Sequence, residues 1–206
     1  MKLEEAIRTR RSVRRYRADP IPKGMIVRIL ESACCAPSVS NSQPWRFVVL
    51  TGEALERLLK VISRRFAETM REALERGGGV ADAAAYSDGP PGLGSETVIS
   101  FLTCLGGAAV AIVAYMEPEP DERMAGLRRS SVVAAFENLL LAAWGEGLGT
   151  CWNSILEMMD QDDVKEQLGI PPDAELIGFT PLGVPAEAPQ APPREPLRNK
   201  VVWLGF

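Results

Sequence analysis

Six arginines fall within ten residues near the start of the chain: Arg8, Arg10, Arg11, Arg14, Arg15 and Arg17. The segment Arg10-Arg-Ser-Val-Arg-Arg-Tyr16 sets the guanidinium groups of Arg10 and Arg14 around the Ser12 hydroxyl. If it is extended or turned, such a segment can wrap a phosphate, because guanidinium forks match phosphate oxygens bidentately. A solvated, arginine-rich helix end is an equally good account of the same residues. A nucleic-acid arm is the weaker reading, because Lys+Arg 23 against Asp+Glu 27 leaves a net charge of −4.

A second candidate is Ala36-Pro-Ser-Val-Ser-Asn-Ser-Gln-Pro-Trp45, where small hydroxyl residues and two amides directly precede an apolar run. Loops at strand ends are common ligand sites, and these side chains suit the polar edge of a ring. A turn capped by its own Ser and Asn side chains is the plainer reading and is favoured on the loop alone. Glu146-Gly-Leu-Gly-Thr-Cys-Trp152 reads as a helix C-cap, since it lacks the G-x-G-x-x-G order and follows a helix instead of opening one. Asp160, Asp162 and Asp163 lack EF-hand spacing and read as helix capping, so no metal site is expected.

The chain has no histidine. That removes the Ser-His-Asp triad, the Cys-His pair and histidine-ligated zinc together. The four cysteines, Cys34, Cys35, Cys104 and Cys151, show no C-x-x-C spacing and read as reduced, mostly buried thiols. Whether Cys34 and Cys35 have a redox role is not legible. No signal peptide and no membrane-length apolar run is visible, so a cytoplasmic, soluble protein is expected.

At 206 residues, 46% of them hydrophobic, the chain suits one compact domain, 1–206. Leu3, Ala6 and Ile7 share a face of a short opening helix. Met25, Ile26, Ile29, Leu30 and Ala33 mark a second helix, which Pro37 stops. The run 45–50 reads as a buried strand, 54–76 as an amphipathic helix closed by Gly77-Gly-Gly79, and 77–95 as a surface excursion. Residues 108–115 form the next strand. The helix 128–146 is apolar nearly all round, so it must lie centrally or be covered in part by another subunit. A short strand at 150–154, a small helix ending at Leu168 and a strand at 175–182 follow. The proline-rich tail 185–206 ends in Val201-Val-Trp203 and cannot form its own core.

In order and in register, these segments resemble the nitroreductase family of flavin-dependent oxidoreductases. The likeness rests on Arg10-Arg-Ser-Val-Arg-Arg-Tyr16, Ala36 to Trp45, Gly147-Leu-Gly-Thr-Cys-Trp152, Leu168-Gly-Ile-Pro171, Pro181-Leu-Gly-Val-Pro185 and Pro192-Pro-Arg-Glu-Pro-Leu197. It covers nearly the whole chain except about 60–105, and it implies that 77–105 is a variable, lid-like excursion. The resemblance implies an α+β fold, a three-layer α/β/α sandwich whose central sheet is mixed and mostly antiparallel, in an intertwined homodimer. It implies FMN as cofactor, NADH or NADPH as electron donor, and a nitroaromatic, quinone or similar small acceptor in a ping-pong reaction. Neither nucleic acid nor membrane is an expected partner.

Carried over position by position, Arg10, Arg11, Ser12 and Arg14 match the segment that binds the FMN phosphate and the pyrimidine side of the flavin, and Arg194 the basic tail residue that also reaches the phosphate. Pro37, Ser38, Ser40 and Asn41 match the loop lent by the other subunit. The resemblance places the backbone near Ser154, Ile155, Leu156 and Glu157 over the flavin N5, although the family's P-x-G is missing there. The same scaffold carries reductive dehalogenation, flavin fragmentation and dehydrogenation, and a flavin-binding protein without turnover is a further alternative.

Overall fold

The computed structural model describes residues 1–75, 101, 103–153, 155–158, 160–189 and 193–205. Among these, helices α1 (Leu3–Thr9), α2 (Lys23–Cys34), α3 (Gly52–Glu75), α4 (Glu122–Gly145) and α5 (Asp162–Leu168) surround one sheet. Its strands are β1 (Tyr16–Arg17), β2 (Trp45–Thr51), β3 (Val110–Met116), β4 (Gly149–Thr150) and β5 (Glu175–Pro185). The order is β1-β5-β3-β2, with β4 also on β5, and every strand pair is antiparallel. One parallel bridge, Ser12 to Thr150, makes the sheet mixed.

Strand β3 shows why the sheet lies between two helical layers. Its side chains alternate faces with the period of two that a strand imposes. Val110, Ile112, Ala114 and Met116 enter one core with Ile26, Ile29, Val132, Phe136 and Leu139 of α2 and α4. Ala111 and Val113 enter the other core with Leu55, Leu58, Ile62 and Val164 of α3 and α5. Both faces are therefore dry, which explains the unbroken apolar run of β3. This is the expected three-layer α+β sandwich.

Asp121 caps α4, which starts at Glu122, six residues ahead of the expected Arg128. Its carboxylate accepts from the backbone N–H groups of Arg123, at 2.9 Å, and Met124, at 3.3 Å. The helix buries Val132, Ala135, Phe136, Leu139, Leu140 and Ala143 but leaves Leu127 and Val133 exposed. Its apolar surface thus exceeds what its own chain covers. In α1 only Ala6 is buried, while Leu3 and Ile7 are 71% and 57% exposed.

Strand β5 runs three residues past the expected Leu182, because Val184 and Pro185 pair with Arg17 and Tyr16. Most of the stretch 77–105, with its glycine triplet, lies outside the described residues. Its far end is core: Phe101 and Leu105 are 5% and 0% exposed and pack beside α3. The apolar Phe101 and Leu105 are drawn into the core that α3 covers. Of the expected 150–154 strand, only Thr150 pairs in the sheet among the described residues, together with Gly149 just before it. Among the described residues no helix is long and apolar enough to cross a membrane.

Candidate active site

The arginine-rich segment leaves α1 at Arg10 and is laid along the sheet edge as an extended strap. The Val13 N–H donates to the Thr150 carbonyl at 2.8 Å, and the Ala186 N–H donates to the Arg15 carbonyl at 3.0 Å. Val13 and Tyr16 are buried, Arg10 and Arg14 half-buried, and Ser12 exposed. The Tyr16 hydroxyl donates back to the Val13 carbonyl at 2.6 Å. Burial pushes the Tyr16 phenol far above its usual range, with Cys151 adding to the shift and Arg14 opposing it, so the hydroxyl stays a neutral donor.

Glycines make the close approach possible. A Cβ on Gly149 would stand 2.7 Å from Val13, one on Gly183 would stand 2.8 Å from the Tyr16 ring, and one on Gly106 would overlap the Arg14 carbonyl. Gly106 also has φ of +61°, in the left-handed region that favours glycine.

With Val13 held inside, the Ser12 and Arg14 side chains stand clear of the core. The Arg14 guanidinium lies 5.9 Å from the centroid of the Phe101 ring, within cation–π range. Arg10 faces Glu137 of α4 at 3.6 Å, a loose pair compared with close charge-assisted contacts. The Cys151 thiol donates to the Trp152 carbonyl at 3.7 Å. Burial pushes that thiol up, against the pull of Arg14, Ser12 and Arg10. Two guanidinium groups and a hydroxyl on one short strap form a donor set suited to an anionic phosphate, so the residues present fit a nucleotide-like cofactor.

Arg11 does not join them. Its guanidinium donates to the Arg8 and Arg10 carbonyls at 2.9 and 2.7 Å, and it lines a separate open cleft of about 550 Å³ with Thr9, Trp144 and Pro185 to Pro189. Arg194 is exposed in the extended tail, and no contact of it with Arg10 or Ser12 exists among the described residues.

The loop after α2 holds Pro37, Ser38, Ser40 and Asn41 in a fixed shape. The Val39 N–H donates to Ser131 Oγ of α4 at 3.2 Å, and the Gln43 N–H donates to Ser38 Oγ at 3.1 Å. Ser40, Asn41 and Gln43 all have positive φ, at 49°, 54° and 45°. Left-handed residues that are not glycine cost energy and collect at ligand sites. The loop meets α4 at Ser131 and the strap meets it at Glu137. Six helical residues separate these points by roughly 9 Å along the axis and roughly 120° around it. Within one chain the two halves therefore address different sides of α4.

Beyond β4, Ser154 lies outside the described residues, and 155–158 form one 3₁₀ turn with Ile155 and Leu156 buried. The Ile155 N–H is already engaged, donating to Asn153 Oδ1 at 2.8 Å. Asn153 is a residue that sequence reasoning missed. It is 3% exposed, and it sets the backbone direction here through this bond and its own N–H to the Phe179 carbonyl, at 2.8 Å. Phe101 and Gly106 were missed likewise, because no local pattern marks a contact made by residues far apart in the chain, and of the four thiols expected to be mostly buried only Cys151 is, with Cys34, Cys35 and Cys104 exposed.

A family model described as the Nitroreductase family matches residues 7–184. An NADH dehydrogenase of Thermus thermophilus is 33% identical over 198 residues, 94% of this chain and 92% of that protein. A 5,6-dimethylbenzimidazole synthase of Rhodospirillum rubrum is 31% identical over 202 residues, 95% of this chain and 87% of that protein. The crystal structure of NfnB, an FMN and NADPH-dependent nitroreductase from sphigopyxis sp. strain HMH, superposes with a TM-score of 0.77 at 25% identity, covering 100% of both chains.

Proposed function

The chain belongs to the nitroreductase family, and from that premise we propose that it is an FMN-dependent oxidoreductase, with NADH or NADPH as donor and a nitroaromatic, quinone or similar electron-poor molecule as acceptor. When bound, the flavin supplies a redox centre that accepts a hydride from nicotinamide and passes it on in a ping-pong sequence.

The observation that carries the reading is the strap that presents Arg10, Ser12 and Arg14 on a backbone fixed by Val13 and Tyr16. Arg10 and Ser12 hold the phosphate, and Arg14 sets its positive charge at the pyrimidine side of the ring, where added negative charge is stabilised. Arg14 keeps that position through the Phe101 ring. Arg194 adds a further cation to the phosphate from the tail. A chain without histidine can serve this chemistry, since the protein must bind and orient while solvent supplies protons.

The catalytic unit is a homodimer, with Pro37, Ser38, Ser40 and Asn41 of one copy completing the site of the other. Support comes from the different sides of α4 that loop and strap address. It comes also from exposed Leu3, Ile7, Leu127, Leu197, Val202, Trp203 and Leu204, apolar surface of the kind that obligate interfaces cover.

The test is an absorbance spectrum of the purified protein with added FMN, followed by anaerobic titration with NADH and NADPH. A bound flavin spectrum that bleaches with one of the two is expected. Protein that stays colourless and takes up no FMN overturns the reading.

A second reading, flavin fragmentation on the same fold, is supported by the 31% identity to the dimethylbenzimidazole synthase. Aerobic incubation with excess reduced FMN distinguishes the two. Nitroaromatic reduction at many turnovers favours the first, and consumption of the flavin ring with negligible NAD(P)H turnover favours the second.

A further inference from the structure

Two thiols stand side by side where α2 ends. Cys34 is the last helical residue and Cys35 is the C-cap, with φ −80° and ψ 0°. Both are exposed, whereas the third face of that turn is anchored by buried Ala33 and Ala36. The Cys35 N–H still bonds back to the Ser32 carbonyl at 3.2 Å, but the chain beyond it leaves the helix for the loop that carries Ser38, Ser40 and Asn41.

Adjacent cysteines are poorly placed for a disulfide. Consecutive Cα atoms lie about 3.8 Å apart across a trans peptide, below the ~4.4 Å at which unstrained disulfides begin. A single bridging atom between the two sulfurs enlarges the ring and removes that constraint. Thiolates are soft ligands that favour soft, thiophilic centres.

We propose that Cys34 and Cys35 form a two-thiol capture site for soft thiophilic species, of which trivalent arsenicals are the model class, and that occupation displaces the cofactor loop. The reaction with an arsine oxide balances without any redox change. Two As–S bonds form, the arsenic–oxygen bonds break, and the two thiol protons leave with that oxygen as water. Closing the bridge draws Cys35 toward Cys34, because consecutive helical side chains diverge by about 100°. The movement is passed to the loop, whose strained residues begin at Ser40. Only this last step rests on the proposed role of the loop in FMN binding.

The probe is phenylarsine oxide at one equivalent, followed by a monothiol wash that strips singly bound arsenical, removal of the small thiol by gel filtration, and a count of the remaining thiols after denaturation. The wild-type protein is expected to lose two of its four titratable thiols, with full recovery on adding a dithiol. Cys34→Ser and Cys35→Ser each retain all three of theirs, while Cys104→Ser still loses two. Both serine variants change exposed positions, and an unchanged melting temperature confirms their fold. A wild type that protects no thiols, or protection abolished by Cys104→Ser and not by Cys34→Ser, overturns the site.

The coupling is read separately by FMN titration, where at least a tenfold weaker affinity is expected for the arsenical-bound wild type and no change for Cys35→Ser. Thiol protection with unchanged FMN affinity overturns the coupling. Failure of the untreated protein to bind FMN refutes the oxidoreductase reading alone, since the thiol count still decides the site.

Discussion

Val13 fills the space that Gly149 leaves empty. A Cβ on Gly149 would come within 2.7 Å of the Val13 side chain, and the same strap residue donates its N–H to the neighbouring Thr150 carbonyl at 2.8 Å. The side chain and backbone of one residue thus register the strap against β4, and through it the positions of Ser12 and Arg14.

Gly149→Ala forces Val13 outward or the strap away from β4. Overpacking of this kind costs about 1–3 kcal/mol, and FMN affinity is expected to fall about tenfold as Ser12 and Arg14 shift. Denaturant midpoints and flavin fluorescence titration measure the two effects. Restoring space with Val13→Ala in the same chain recovers much of the stability. An unchanged midpoint for Gly149→Ala alone contradicts the registration.

Arg10→Ala and Arg14→Ala should weaken FMN binding by about ten- to a hundredfold, the scale of a lost charge-assisted contact. Arg11→Ala should leave it within about twofold, because the Arg8 and Arg10 carbonyls hold the Arg11 Nη1 and turn its guanidinium toward the separate cleft. The wild-type affinity falls with added salt, and the Arg10→Ala affinity falls less steeply. Equal losses for Arg10 and Arg11 would count against the phosphate assignment.

The link between α3 and α5 gives an acid-dependent component of stability. Arg65 and then Arg64 hold the Asp163 carboxyl below the usual carboxylate range, with Asp163 Oδ2 2.9 Å from Arg65 and 2.5 Å from Arg64. A depressed folded-state value means stability that is present above the unfolded carboxylate pKa of about 4 and lost as pH falls through the folded value. Asp163→Asn is therefore expected to be less stable than wild type near pH 7, with the gap closing below about pH 4. Urea melts at pH 3, 5 and 7 test this, and a gap that is constant with pH contradicts it.

Leu3→Asp with Ile7→Asp places two charges on the exposed apolar face of α1, whose only buried residue is Ala6. Sedimentation velocity should show the wild type as a dimer and the variant shifted toward monomer, with FMN affinity reduced in parallel. A wild type that sediments as a monomer while binding FMN fully would refute the shared site.

The elements were legible from apolar periodicity, because burial on both faces writes a continuous apolar run in β3 and helical spacing in α2, α3 and α4, whereas their three-layer stacking was implied by the resemblance to the nitroreductase family. Strap and loop were legible as candidates because charge density and small polar residues are local features of the chain. The pairing of β5 with Tyr16 and Arg17 and the burial of Phe101 and Leu105 were not, since each depends on what lies opposite in space. The separation of Arg11 from Arg10 and Arg14 is of the same kind. An arginine's type is written in the chain, but the carbonyls within its reach depend on how the backbone turns.

By itself, then, the sequence determined which residue types could do the chemistry and which elements carry them. Backbone preferences and hydrophobic burial act over short windows, and composition alone rules out mechanisms that need imidazole. Only the tertiary structure decided which of those residues converge. Gly106, Gly149 and Gly183, distant in the chain, admit one strap at distances a Cβ would forbid, and contacts between remote segments are set by packing the whole molecule at once.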